Sequence, residues 1–171
     1  FENGEFKPDD TMIRWLDYGP DNYAGVTWSN LPTEQNRTLF IGWMSNWLYA
    51  NVVPTKAWRS AMTIPRELSL FEVDGTLLLK SAPAKELEKL RAAEYELNQE
   101  SSSLPSEAVE MIAKVNDDNF SLTLSNELDE KLVISRENGL VSIDRKNAGK
   151  SDFNSDFAAI HSAPMSWVAK D

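Results

Sequence analysis

Cysteine is absent from this chain, histidine occurs once, and cations are outnumbered, 17 Lys and Arg against 27 Asp and Glu. Each shortage closes a class of chemistry. Without thiols there are no disulfides, thiolate metal sites or cysteine nucleophiles. The single His161, in Ala159-Ile160-His161-Ser162, reads as a surface or strand-edge residue. One imidazole makes a serine–histidine triad or a His-rich metal site a poor expectation. A net charge of −10 argues against nucleic acid, whose phosphates demand clustered Lys and Arg, and against an anionic membrane surface. No run of 18 apolar residues is present to cross a bilayer as a helix. The first residues lack a basic stretch followed by an apolar one, the pattern of a signal peptide; a mature or excerpted chain would read the same.

What is abundant is tryptophan. Five of the six lie between Trp15 and Trp58, interleaved with acids and amides in Trp15-Leu16-Asp17-Tyr18-Gly19-Pro20-Asp21-Asn22-Tyr23, then Trp28, Trp43 and Trp47. Such a cluster is either a core or a binding wall. Aromatic faces beside carboxylates suit sugars, since rings stack on C–H faces while acids accept from hydroxyls. Covering one sugar face of roughly 70 Å² contributes about 2 kcal/mol. A neutral glycan is also compatible with the negative charge.

The 171 residues, 42% hydrophobic and 26% charged, suffice for one medium domain or two small ones. Strand patterns dominate. Phe1-Glu2-Asn3-Gly4-Glu5-Phe6 carries a hairpin signal with only two residues before the turn, so the partner strand looks missing and the chain reads as an excerpt of a larger protein. Met12–Leu16, Tyr23–Trp28, Thr38–Met44, Arg59–Pro65 and Glu67–Val73 read as strands. Leu31–Asn36 is turn chemistry, and Asp74-Gly75 followed by Leu77–Lys80 closes a hairpin. Pro83–Arg91 is a charged connector or a helical turn or two, and Ser101-Ser102-Ser103 a short loop. Val109–Val115, Phe120–Leu124, Lys131–Ile134 and Leu140–Ile143 follow at sandwich-like spacing, with Phe120, Leu122 and Leu124 alternating as a half-buried strand does. Two four-strand groups in the first 80 residues would suit propeller blades. The fold class expected is all-β, divided as 1–82, a connector 83–92, and 93–171.

Several strings resemble the C-terminal half of glycoside hydrolase family 32, the invertases, inulinases and levanases. Leu16-Asp17-Tyr18-Gly19-Pro20-Asp21-Asn22-Tyr23-Ala24 is similar to the family's Asp-Tyr-Gly-x-Asp-Phe-Tyr-Ala segment, with Asn22 in place of Phe. Ile41-Gly42-Trp43-Met44-Ser45-Asn46-Trp47 matches its Gly-Trp-Met-Ser-Asn-Trp segment. Pro54-Thr55, Trp58-Arg59 and Met62-Thr63-Ile64-Pro65-Arg66-Glu67-Leu68 continue in order. Leu140, Asp144-Arg145 and Gly149 look like the Asp-Arg turn of the family's β-sandwich, and Gly4-Glu5-Phe6 resembles a hairpin of an earlier blade.

The resemblance implies the last part of a five-bladed β-propeller followed by a β-sandwich, cut short, because family members continue beyond the position of Trp167 with an Asp-x-Ser-x-x-Glu segment. It implies a β-fructoside partner such as levan, inulin or sucrose, and neither cofactor nor metal. For substrate binding it points to Asp17, which would bond a sugar hydroxyl or orient a neighbouring base, and to Tyr23, Trp43 and Trp47, with Tyr49 a weaker candidate. Trp58 and Arg59 would staple adjacent strands. No residue here is expected to be catalytic. Retaining glycosidases need a carboxylate nucleophile and a second carboxyl, and the family's Trp-Met-Asn-Asp-Pro-Asn-Gly, Arg-Asp-Pro and Glu-Cys motifs do not occur in this sequence.

Local acids have blander readings. Asp17 and Asp21 stand in a turn, where acids usually bond backbone. Asp117-Asp118, Glu127 and Asp129-Glu130 lack EF-hand spacing and read as solvated turns. Asn36-Arg37-Thr38 and Asn119-Phe120-Ser121 fit the glycosylation pattern, which matters only in a eukaryotic secretory setting. Alternatives to a fragment of a β-fructosidase are a non-catalytic carbohydrate-binding or scaffold protein, and an interaction module whose open sheet edges form a homo-oligomer or take up a mate chain. Polysaccharide substrates favour an extracellular or periplasmic parent enzyme.

Overall fold

The computed structural model describes residues 3–8, 11–97, 102–104 and 108–165. Phe1, Glu2, Ser101 and Trp167, which enter the hairpin, loop and sandwich readings above, lie outside the described residues. Among the described residues, eight strands form two four-stranded antiparallel sheets, each a simple meander. The first holds β1 (Tyr23–Thr27), β2 (Thr38–Trp43), β3 (Arg66–Val73) and β4 (Thr76–Pro83); the second holds β5 (Phe120–Ser125), β6 (Lys131–Glu137), β7 (Leu140–Asn147) and β8 (Ile160–Pro164).

Local chemistry explains most of these elements. Asp74 and Gly75 both take positive φ, 49° and 77°, the two-residue turn whose twist suits a hairpin. β3 and β4 therefore pair without a break from Val73↔Thr76 to Arg66↔Pro83. Asn138 and Gly139 repeat the device between β6 and β7. In β5 the apolar residues are half-buried and Ser121 and Thr123 exposed, the alternation of a one-faced strand. β2 buries one face, that of Phe40 and Gly42, while Leu39, Ile41 and Trp43 on the other are half-buried.

Between β2 and β3 the chain leaves the sheet and returns. Met44 donates to the Ala61 carbonyl (2.8 Å) and Thr63 to the Gly42 carbonyl (2.8 Å), closing a loop across the isolated Trp43↔Met62 bridge. The connector after β4 is a 3-10 turn, Lys85–Leu90. It is fastened to the first sheet by Ala84, which donates to the Pro65 carbonyl (2.9 Å), and by the Arg37–Glu86 pair (2.8 Å).

Several sequence expectations need correction. Met12–Leu16 forms no strand: its described backbone joins neither of the two sheets. Arg59–Pro65 contributes only the bridge at Met62: Ser60 sits at φ 84° and Pro65 has no N–H to give a ladder. Val109–Val115 is irregular, with Ile112 fully out in solvent. The described part of the first 80 residues therefore builds one four-stranded sheet rather than two strand groups. Asp144-Arg145 lies inside β7 rather than in a turn, and β8, which brings His161 beside Ile143, was not anticipated. Trp58 is exposed and Arg59 bonds the Asn51 carbonyl within the β2–β3 excursion, so neither staples strands.

Candidate functional site

The loop from Asp17 to Asn22 runs into β1 and is tied down at three points. Asp17 accepts from the Gly19 amide through Oδ1 (3.0 Å), the side-chain-to-backbone bond expected of a turn acid. Through Oδ2 it accepts from Asn22 Nδ2 (3.3 Å) and from Arg66 Nη2 at the start of β3 (3.0 Å). The Pro20 carbonyl accepts from Asn46 Nδ2 (2.9 Å). Asp21 accepts from the Tyr49 hydroxyl and, through Oδ2, from Arg145 Nη1 (2.5 Å).

Tyr23 opens β1 beside this loop and faces Trp43 across the ladder. Ala24, at φ 48°, accompanies a bulge between Tyr23 and Val26, and bulges re-aim side chains next to sites. Tyr23 and Trp43 meet edge to face with centroids 6.3 Å apart, and Trp43 and Trp47 lie 5.1 Å apart at 57°. Several positions around these tryptophans have a physical reason. A side chain at Gly42 would collide with Asn22. Ser45 is buried. Asn46 holds Pro20, accepts from the Leu48 amide with Oδ1 (2.9 Å), and with its carbonyl accepts from Ala50 (2.8 Å).

Asp17, Tyr23, Trp43 and Trp47 are thus gathered on one loop-and-strand platform, with Asp17 linked to Tyr23 through Asn22. Trp47 is 66% exposed and Tyr23 55%, so both offer ring surface in this chain. Trp15, Asp17, Tyr18, Gly19, Pro20 and His161 border an open cleft of about 310 Å³ between the loop and the second sheet.

Tyr49 differs from its expected place. It is 2% exposed and cannot line an open pocket. Its ring packs edge-on against Phe153 and Phe157 (6.2 and 5.6 Å), and its hydroxyl donates to Asp21 while accepting from Arg145 Nη2 (3.0 Å). Burial, then the hydrogen bond to Asp21, pushes the phenol up to about 12. Arg145 also donates through Nε to the Phe157 carbonyl (2.6 Å) and lies 4.0 Å over that ring. His161 is held below the usual imidazole range, first by burial and then by the charge of Arg145.

Chemically, the loop offers acceptors and apolar rings. Both of its carboxylates face a guanidinium, which suits holding and orienting rather than proton transfer. Among the described residues, no group of three or more His, Asp or Glu could hold a metal ion. Asp118 pairs with Arg136 (3.5 Å), Asp129 with Lys131 (2.7 Å), and Glu130 with Asn126 (2.6 Å). Sequence reasoning missed Arg66, Asn46 and Arg145 as organisers of the loop. All three stand in the recognised strings, yet nothing in one sequence pairs them with residues 26 to 124 positions away.

Comparison with known proteins agrees with this architecture. The sequence profile of the glycosyl hydrolases family 32 N-terminal domain matches residues 1–81. A levanase of Bacillus subtilis is 35% identical over 182 residues, spanning 92% of this chain and 26% of that protein. An extracellular exo-inulinase of Meyerozyma guilliermondii is 49% identical over 70 residues, 41% of this chain and 13% of that protein. The crystal structure of exo-inulinase from Aspergillus awamori superposes with a TM-score of 0.76 at 26% identity, covering 96% of this chain and 36% of that one. Fold and sequence define an all-β chain similar to parts of glycoside hydrolases. The chain belongs to glycoside hydrolase family 32, and it spans about a quarter of the levanase's length.

Proposed function

We propose that this chain is a portion of a β-fructosidase acting on levan, inulin or sucrose, and that it supplies one wall of the sugar site. Asp17 accepts from a sugar hydroxyl, and Tyr23, Trp43 and Trp47 present ring faces to the sugar. In this reading residues 1–82 are the last part of a five-bladed propeller, 83–92 the connector, and 93–171 an incomplete sandwich. The nucleophile and acid/base belong to polypeptide outside this sequence, so the isolated chain binds without cleaving. The observation that carries the reading is the Tyr23–Trp43–Trp47 cluster beside the Asp17 loop, in a chain similar to levanases and inulinases.

The test is titration of the purified chain with levan, inulin and sucrose, followed by indole fluorescence, alongside measurement of released reducing sugar. Binding that weakens in Trp43→Ala and Trp47→Ala, with no sugar released, is the expected result. Robust turnover by this chain, or binding indifferent to both substitutions, overturns the assignment. A second reading, a non-catalytic carbohydrate-binding protein, is favoured by the guanidinium pairing of both loop acids. It predicts the same binding with no catalytic segments encoded upstream in the same gene.

A further inference from the structure

We propose that Arg145, on the second sheet, is a positioning residue for the sugar wall of the first; the inference rests on the reading of Asp17, Tyr23, Trp43 and Trp47 as that wall. The loop from Asp17 to Asn22 is anchored to its own sheet by Arg66 on Asp17 and by Asn46 on the Pro20 carbonyl. Its last anchor before Tyr23 crosses to the other sheet. Asp21 spends Oδ1 on Tyr49 and Oδ2 on Arg145, and the next residue, Asn22, carries its own bond to Asp17. A shift at Asp21 therefore moves Asn22 and Tyr23, and Tyr23 is the ring that meets Trp43.

Arg145 suits the task because every nitrogen of its fork has a different partner. Nη1 takes Asp21, Nη2 the Tyr49 hydroxyl and Nε the Phe157 carbonyl. The guanidinium also rests on the Phe157 ring at 4.0 Å. Such a fork has one orientation, which an ammonium, a point charge on a flexible stem, does not reproduce. Both side chains of the ion pair are largely buried, so solvent screens it weakly. The second sheet thereby sets the geometry of a wall to which its strands contribute none of the three stacked rings.

The experiment compares the full chain with Arg145→Lys, Arg145→Ala and Asp21→Asn by two-dimensional amide and indole NMR, and measures levan binding to each. The indole signals of Trp43 and Trp47 and the Gly19 amide should shift in all three variants. Amides of the β3–β4 hairpin, such as Leu70 and Leu79, and of β5, such as Leu122, should stay in place. Levan should bind Arg145→Ala about tenfold more weakly, which corresponds to about 1.4 kcal/mol of lost contact, with Arg145→Lys between it and the parent chain. Unmoved Trp43, Trp47 and Gly19 signals overturn the proposal. So does a uniform change across both sheets, which marks a merely structural residue. If Arg145→Ala does not fold, the Lys and Asn variants decide by the same signals. Shifts confined to the loop in a chain whose parent binds no levan support the positioning role and overturn the sugar-wall reading instead.

Discussion

Replacing Asp21 by Asn changes one oxygen to an amide nitrogen and removes one charge, leaving Arg145 in place. The cost follows from the surroundings. Breaking a fully buried ion pair costs about 3–5 kcal/mol, because the surviving charge stays desolvated. Here the two side chains are 15% and 18% exposed, so some water reaches the orphaned guanidinium, and Asn still offers one acceptor. About 2–3 kcal/mol is expected. Tyr49→Phe removes two hydrogen bonds, keeps the packing on Phe153 and Phe157, and strands no charge, so about 1–1.5 kcal/mol is expected. Removing both ends of the ion pair, Asp21→Asn with Arg145→Met, should cost less than the sum of the single changes by about 1 kcal/mol or more.

The assay is urea unfolding followed by tryptophan fluorescence, read as a shift in midpoint at constant slope. A second readout is the phenol of Tyr49. Asp21 helps to raise it, by hydrogen bond and by charge, so Asp21→Asn should lower the pH at which this phenolate absorbs. In the parent chain the raised phenol stabilises the fold below about pH 10, and that contribution is lost as pH rises through about 12. An Asp21→Asn variant within about 0.5 kcal/mol of the parent chain, or a strictly additive cycle, would refute the account of this junction.

Three further outcomes are expected. Gly25→Ala places a methyl against the ring of buried Phe40 and should destabilise by about 1–3 kcal/mol through overpacking; adding Phe40→Leu should recover part of it in the same urea assay. His161 is depressed in the folded state, first by burial and then by the charge of Arg145, with Asp21 opposing both. The unfolded chain therefore binds the extra proton first, and stability falls as pH drops through about 6.5. His161→Asn should flatten that part of the midpoint-against-pH curve, and an unchanged curve would exclude the burial argument. Trp47→Ala, at an exposed ring, should leave the unfolding free energy from urea within about 0.5 kcal/mol of the parent chain while weakening fructan binding; a large loss of stability would make Trp47 a packing residue.

What could be read from sequence was short-range. Asp74-Gly75 specified its hairpin because both residues tolerate positive φ, and the spacing Phe120, Leu122, Leu124 specified a one-faced strand because strand side chains alternate. The strings Leu16–Ala24 and Gly42–Trp47 identified the family and the aromatic candidates together. Met12–Leu16 shows where this reasoning stops. Its composition suits a strand, yet a strand exists only within a hydrogen-bonded ladder, and this segment joins neither sheet.

The amino-acid order by itself determined the Asp74-Gly75 turn, the one-faced strand β5, the family and the tryptophan-rich segment on which the sugar reading rests, since each depends on residues a few positions apart. Tertiary structure alone decided that Tyr49 is buried, that Arg66 and Asn46 hold the Asp17 loop, and that Arg145 reaches Asp21 from the other sheet. Those partners are distant in sequence, and a charge in a turn or strand carries no mark of its mate. Only the folded geometry, by excluding water from both groups, makes one partner the required companion of the other.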